Sequence, residues 1–160
     1  MSNEDLRREY NLLYIGGHTF LEFCYSSILD KVIEATPLQS NNLHCFYRDI
    51  LAPIEAFYGK VRITQGLRDM EIYRVLLKRW KEDQAKPAIE RKGYSKPALN
   101  SDHFTGDAVD IAVDSFDDLD KIYLDIIHER LPYRALILHR DHLHISQTGD
   151  KYRYVRRVGC

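Results

Sequence analysis

Residues 100–113, NSDHFTGDAVDIAV, decide how this chain is to be read. The stretch opens as a polar loop, turns at Gly106 and from Ala108 onward becomes Ala-Val-Asp-Ile-Ala-Val. An apolar run of that composition predicts a buried strand. Asp110 sits in the middle of it, and a charge placed there is costly unless a cation, a donor or a functional site compensates it. His103 stands seven positions earlier, in the loop that leads into the strand.

Working outward toward the C-terminus, FDDLDKIYLDIIHERL predicts an amphipathic helix. RALILH, HLHISQ and KYRYVRRV predict three further strands. In the other direction, KEDQAKPAIERKGYSKPALN is polar, with two prolines and a glycine, and predicts a long loop of the kind that is commonly functional or mobile. Met70, Tyr73, Leu76, Leu77 and Trp80 mark a helix before it, and Val61 and Ile63 lie on one face of a short strand that turns at Gly66. A helix over 42–58 carries Pro53 inside its pattern, which predicts a kink or an early break, and Gly59 at its end. Residues 2–35 predict a helical region broken at Gly16 and Gly17, with Leu21, Cys24, Ile28, Val32 and Ile33 near helical spacing. Helices first, then strands mixed with one helix, imply an α+β fold: helices packed on a small, mainly antiparallel sheet that carries the site. A chain of 160 residues fits one domain over 1–160, with 1–40 as an N-terminal helical extension.

Composition excludes several classes. Hydrophobic residues make up 44% and charged residues 29%, which is globular rather than disordered. A formal net charge of −1 supplies no general attraction to nucleic acid or to a membrane surface. No run approaches a membrane span, and MSNEDLRREY is too acidic for a secretory signal, so synthesis in a cytoplasm is expected. Cys24, Cys45 and Cys160 show neither CxxC pairing nor zinc-finger spacing and read as free thiols.

Chemistry concentrates in two places. His103 and Asp110 bracket the loop-to-strand junction, and DHLHIS supplies Asp141, His142 and His144. Two imidazoles and a carboxylate form a three-ligand set suited to catalytic zinc, with the fourth position left for water. His142 and His144 alternate, so both point to one face of their strand. Periodicity does not say which of them would be the ligand.

The segment SDHFTGDAVDIAV resembles the S-x-H-x-x-G-x-A-x-D signature of the zinc D-alanyl-D-alanine carboxypeptidases and L-alanyl-D-glutamate endopeptidases, enzymes of bacterial peptidoglycan that share a zinc site with lysostaphin-type peptidases and hedgehog domains. Ser101, His103, Gly106, Ala108 and Asp110 fill its fixed positions. DHLHIS is similar to the late strand that brings the third ligand, and ILAPIEAFYGKVRITQGLRD to the lead-in, with Gln65 and Leu67 where the family carries serine and tyrosine, and Arg68 retained. The resemblance covers residues 50–146.

It implies that His103, Asp110 and His144 hold Zn2+, that Asp141 is the general base, and that Arg68 steadies a developing oxyanion. Ser101 would brace the loop by hydrogen bonding at the edge of the substrate site. His142 and Tyr94 would be substrate-binding, with Lys96 beside Tyr94 on the long loop and His139 a further candidate. On a regular strand Asp141 and His144 face opposite sides, so the base role requires Asp141 to lie in the turn before the strand or on a bulge. The implied substrate is a peptidoglycan stem peptide, at the D-alanyl-D-alanine or the L-alanyl-D-glutamate bond. Without a signal peptide or wall-binding module, a phage product is expected, acting at the cell wall after lysis or in association with a virion or tail. The alternative is a non-catalytic virion structural or wall-binding protein that keeps fold and metal. The tail, with Lys151, Arg153, Arg156 and Arg157 interleaved with Tyr152 and Tyr154, reads either as a grip on an anionic polymer or as an edge strand protected by charge.

Overall fold

The computed structural model describes residues 1–129, 131–147 and 154–157. In chain order, α1 (Asn3–Asn11) is capped by Ser2 and followed by the hairpin β1 (Tyr14–Ile15) and β2 (His18–Thr19). Next come the short α2 (Phe20–Cys24) and a second hairpin, β3 (Tyr25–Ser26) and β4 (Lys31–Val32). α3 (Pro37–Phe46) runs through a π-helical turn (Tyr47–Leu51) into α4 (Ala52–Tyr58), and β5 (Arg62–Gln65) leads to α5 (Met70–Gln84). A 3-10 turn (Asp102–Phe104) precedes β6 (Ala108–Ala112), which is followed by α6 (Phe116–His128), β7 (Ala135–Leu138), β8 (Leu143–Ser146) and β9 (Tyr154–Arg157).

The architecture is α+β, as the element order implies. The large sheet has the order β5-β6-β8-β7-β9. Its first four strands pair antiparallel, whereas β9 joins β7 in parallel, so the sheet is mixed rather than wholly antiparallel. β6, the strand read from NSDHFTGDAVDIAV, is buried along its whole length and lies between β5 and β8. β9 is an edge strand with Val155 and Arg156 exposed; Lys151, Tyr152 and Arg153 of the tail lie outside the described residues, as does Cys160.

The first 40 residues depart from the expected helical extension. Only Asn3–Asn11 and Phe20–Cys24 are helical before Pro37. Gly16 takes φ +58 in the first hairpin turn and Asp30 takes φ 48 in the second, a conformation Asp tolerates better than most residues. The apparent helical spacing of Ile28, Val32 and Ile33 arises instead from a hairpin that buries Val32 and Ile33. This segment is no appendage, because Leu6, Tyr10, Phe20, Phe23 and Val32 share one hydrophobic core with Val109, Ile111 and Leu143 of the sheet.

The next helix begins at Pro37 rather than near residue 42, because Thr36 and Gln39 form a reciprocal capping box with Pro37 in the first turn. The kink expected from Pro53 is absorbed by the π-helical turn: the Ala52 N–H bonds to the Tyr47 carbonyl, one residue wider than an α-helical bond. Leu43, Phe46, Ile50 and Leu51 are fully buried along this rod, each contributing about 1.5–3 kcal/mol of burial free energy. Gly59 ends it at φ 83.

Candidate metal centre

Asp110 and His144 meet by strand pairing. β6 and β8 are antiparallel with Asp110 directly opposite His144, and on the other side Gln65 stands opposite Asp110 across a register shift between Ile63 and Gln65. His103 arrives from the 3-10 turn. Ser101 caps that turn by accepting the His103 N–H at 3.3 Å. Gly106 then reverses the chain at φ +80, and a Cβ there would come within 2.7 Å of the Gln39 carbonyl oxygen. α3 clamps the same loop: Gln39 donates its amide to Phe104 O at 2.7 Å, and Asn42 donates to Thr105 O at 2.8 Å.

The three donor atoms form a tight triangle. His103 Nε2 lies 3.2 Å from His144 Nδ1 and 3.2 Å from Asp110 Oδ1, and His144 Nδ1 lies 2.8 Å from Asp110 Oδ1. Tetrahedral zinc with bonds of about 2.0–2.1 Å to nitrogen separates neighbouring donors by about 3.3 Å. The triangle therefore has the size of one face of such a site. His103 Nδ1–H donates to the Gly66 carbonyl at 2.6 Å, which fixes the tautomer and turns the Nε2 lone pair toward the other two donors. This is the outer bond that a metal-binding imidazole needs, and these residues fit a divalent cation. Gly66 is held in place in turn: the Phe23 carbonyl accepts the Leu67 N–H at 2.7 Å, and a Cβ on Gly66 would stand 2.2 Å from that carbonyl oxygen.

Electrostatics favour the ligating protonation states. Burial lowers the His103 pKa, which favours the neutral imidazole, while Asp110 pulls it back up. Burial works to raise the Asp110 pKa, yet His103 and His144 hold it well below the usual carboxylate range. A neutral imidazole beside an ionised carboxylate is what a metal requires.

Around the triangle the other expected residues take definite places. His142 shares a face with His144, its Nε2 4.0 Å from Asp110 Oδ2, and its ring stacks on His139 with centroids 4.1 Å apart. Asp141 lies in the turn before β8. Its side chain is 86% exposed and accepts His142 Nδ1–H at 2.7 Å, a bond that lowers its pKa. Arg68 is largely buried, and burial lowers its pKa against the pull of Asp110. Its Nη2 donates to Gln65 Oε1 at 2.6 Å, and its backbone N–H bonds to His103 O at 3.1 Å.

Tyr94 stands apart. It is exposed, and its loop is tied to α5 by the buried Asp83, whose carboxylate accepts the N–H groups of Lys92, Gly93 and Tyr94. Lys96 covers the Trp80 ring at 5.2 Å. Cys24 is buried and free, and burial pushes its thiol pKa up, away from nucleophilic use.

Sequence reasoning did not find the Gly66 carbonyl as an orienting acceptor. Its only trace was a glycine in a turn, and a carbonyl carries no residue-type signal. No family model, curated protein or solved structure matches the chain. Among the described residues no helix is long and apolar enough to cross a membrane.

Proposed function

We propose that the chain is a zinc-dependent peptidase that hydrolyses an amide bond of peptidoglycan stem peptides, at the D-alanyl-D-alanine or the L-alanyl-D-glutamate position. The observation that carries this reading is the His103–Asp110–His144 triangle with its oriented imidazole. When bound, zinc would polarise the scissile carbonyl and make water a competent nucleophile near neutral pH. His103, Asp110 and His144 would hold it.

The remaining residues divide the proton and charge work. Asp141 receives the proton of the attacking water and delivers it to the leaving amine, either directly or through His142, to which it is bonded. Arg68 balances negative charge developing on the carbonyl oxygen; its guanidinium carries an Nε with no partner among the described residues. Ser101 keeps the His103 turn in register. The phage origin and the site of action at the cell wall rest on the resemblance and belong to this proposal.

A second reading has one observation in its favour. The Asp141 carboxylate is largely exposed and bonded to His142. A protein that keeps the metal for structure alone, as a virion or wall-binding component, needs no more than that. The two readings separate in one experiment: digestion of purified peptidoglycan by zinc-loaded wild type, Asp141→Ala and His103→Ala, with products read by mass spectrometry. New amino groups released by wild type and reduced about 10²- to 10⁴-fold in Asp141→Ala support the peptidase. One zinc per chain with intact walls of several chemotypes supports the structural role.

A further inference from the structure

Strand register lines up more than the metal ligands. Gln65 stands opposite Asp110, Asp110 opposite His144, His144 opposite Ile137, and Ile137 opposite Arg156. Residues directly opposite one another in a sheet project from the same face. One row therefore crosses all five strands, with two metal ligands in its middle and a cation at its β9 end. Arg156 belongs to the part of the chain that lies outside the resemblance.

The two ends of the row are covered differently. At the β5 end stands the hairpin β3–β4, since Ser27 and Ile28 line one cavity with Thr64, Gln65, Asp110 and His142. Toward β9 the cover thins: the side chains of Asp110 and His144 are 10% and 17% exposed, Ile137 is half-buried and Arg156 is exposed. α6 packs against the other face, where Val109, Leu143 and Leu136 alternate with the row and share the core with Leu119 and Ile122. A ligand at the triangle therefore has its open path over β8, β7 and β9. At the end of that path Arg156 has no hydrogen bond or ion pair among the described residues.

Spacing sets the reach. Neighbouring strands lie about 4.8 Å apart, so the Arg156 backbone is about 10 Å from that of His144. An extended peptide advances about 3.3 Å per residue, so about three residues span the gap. Outward from the triangle the row offers an apolar contact at Ile137 and then a guanidinium, which presents a planar pair of donors to a carboxylate.

We infer that an extended peptide lies across the strands along this row, and that Arg156 binds an acidic side chain about three residues from the bond that is cut. The inference rests on the peptidase reading and adds to it a specificity-determining residue from the C-terminal edge strand. Charge that only guards an edge strand has no reason to favour one acidic position over another, and that difference is measurable.

The test uses the zinc-loaded full chain. Probes are extended peptides with a hydroxamate, a zinc-binding group, at either end and one glutamate at the first to fifth residue from it, each paired with its glutamine counterpart. Calorimetry gives Kd. Glutamate is expected to be preferred about two- to fivefold, the worth of an exposed ion pair, and only near the third residue. Arg156→Gln abolishes the preference and Arg156→Lys keeps part of it. Arg79→Gln, the same change of charge on α5, leaves it intact. Zinc stoichiometry and Tm stay at wild-type values in Arg156→Gln, because the side chain is exposed.

Equal binding of glutamate and glutamine peptides would overturn the inference and leave the peptidase reading standing. So would a preference spread over all positions, or one that survives Arg156→Gln. A fall in Tm of several degrees in Arg156→Gln would show a structural arginine and overturn it as well. If peptidoglycan stays intact while the hydroxamates bind in the expected pattern, the subsite stands and only hydrolysis falls. Hydroxamates that do not bind the zinc-loaded chain at all sink both.

Discussion

Two histidine–carboxylate clusters are buried in this molecule, and they are built to opposite ends. His18 is fully buried, with Nδ1 3.1 Å from Glu22 and Nε2 2.8 Å from Glu55. Both ring nitrogens are spent on carboxylates. The carboxylates are used again, Glu22 accepting the Thr19 N–H and Glu55 the Val61 N–H, while Phe23 and Tyr47 meet the ring edge-on. The result is a closed brace that ties the first hairpin and α2 to the α4–β5 junction. His103 is as deeply buried, but one nitrogen is held by a carbonyl and the other converges with His144 Nδ1 and Asp110 Oδ1 on a single point. Capacity to bind lies in what hydrogen bonding leaves over, and residue types alone do not report it.

Replacing Asp110 by Ala breaks this comparison at its strongest point. Metal analysis of purified protein is expected to find one zinc per chain in wild type and none in Asp110→Ala, and zinc at about a thousandfold over its Kd should stabilise wild type by about 4 kcal/mol and the variant not at all. Zinc retained by Asp110→Ala would remove the triangle from consideration. His18→Gln is the reciprocal case. Urea denaturation should show a loss of about 3 kcal/mol, since two carboxylates lose a buried partner, while zinc stoichiometry stays at wild-type level. A loss of zinc in His18→Gln would mean that the two clusters are one functional unit.

Gly66→Ala probes the seam between the clusters. The new Cβ meets the Phe23 carbonyl, and backbone must move; a cost of about 1–3 kcal/mol is expected. Because Gly66 O holds His103, zinc affinity should also fall, read by competition with a chelator. Unchanged affinity would show that the carbonyl does not orient the ligand.

The smallest effect is expected far from either cluster, at Asp83. Backbone N–H groups from Lys92 and its neighbours, working against desolvation, hold its pKa below the ordinary value of 3.8. A depressed carboxylate contributes order that is present above its ordinary pKa and is lost as pH falls through the folded one. Protection factors at Lys92, Gly93 and Tyr94, taken relative to the intrinsic exchange rate at each pH, should therefore fall on acidification below about pH 4, and in Asp83→Asn at neutral pH. Protection that ignores both changes would show the loop is held by other means.

Much of this was legible in the chain. Asp110 announced itself because a carboxylate in an Ala-Val-Ile strand has to be explained. The α+β order followed from periodicity, and Pro53 and Gly59 acted where they stand. The N-terminal segment was misread because Ile28, Val32 and Ile33 satisfy a helical spacing, while the turn at Asp30 and the pairing of Tyr25 with Val32 make a hairpin. The parallel addition of β9 was equally hidden, since strand direction depends on the path of the chain and not on strand composition.

By itself the sequence determined which side chains were available for chemistry and that β6 had to be buried, because composition and alternation govern burial before any partner is known. Only the tertiary structure decided that His144 stands opposite Asp110 and that a carbonyl turns His103 toward them. Those facts come from strand register and backbone approach, which arise between segments distant in the chain and are written in no one of them.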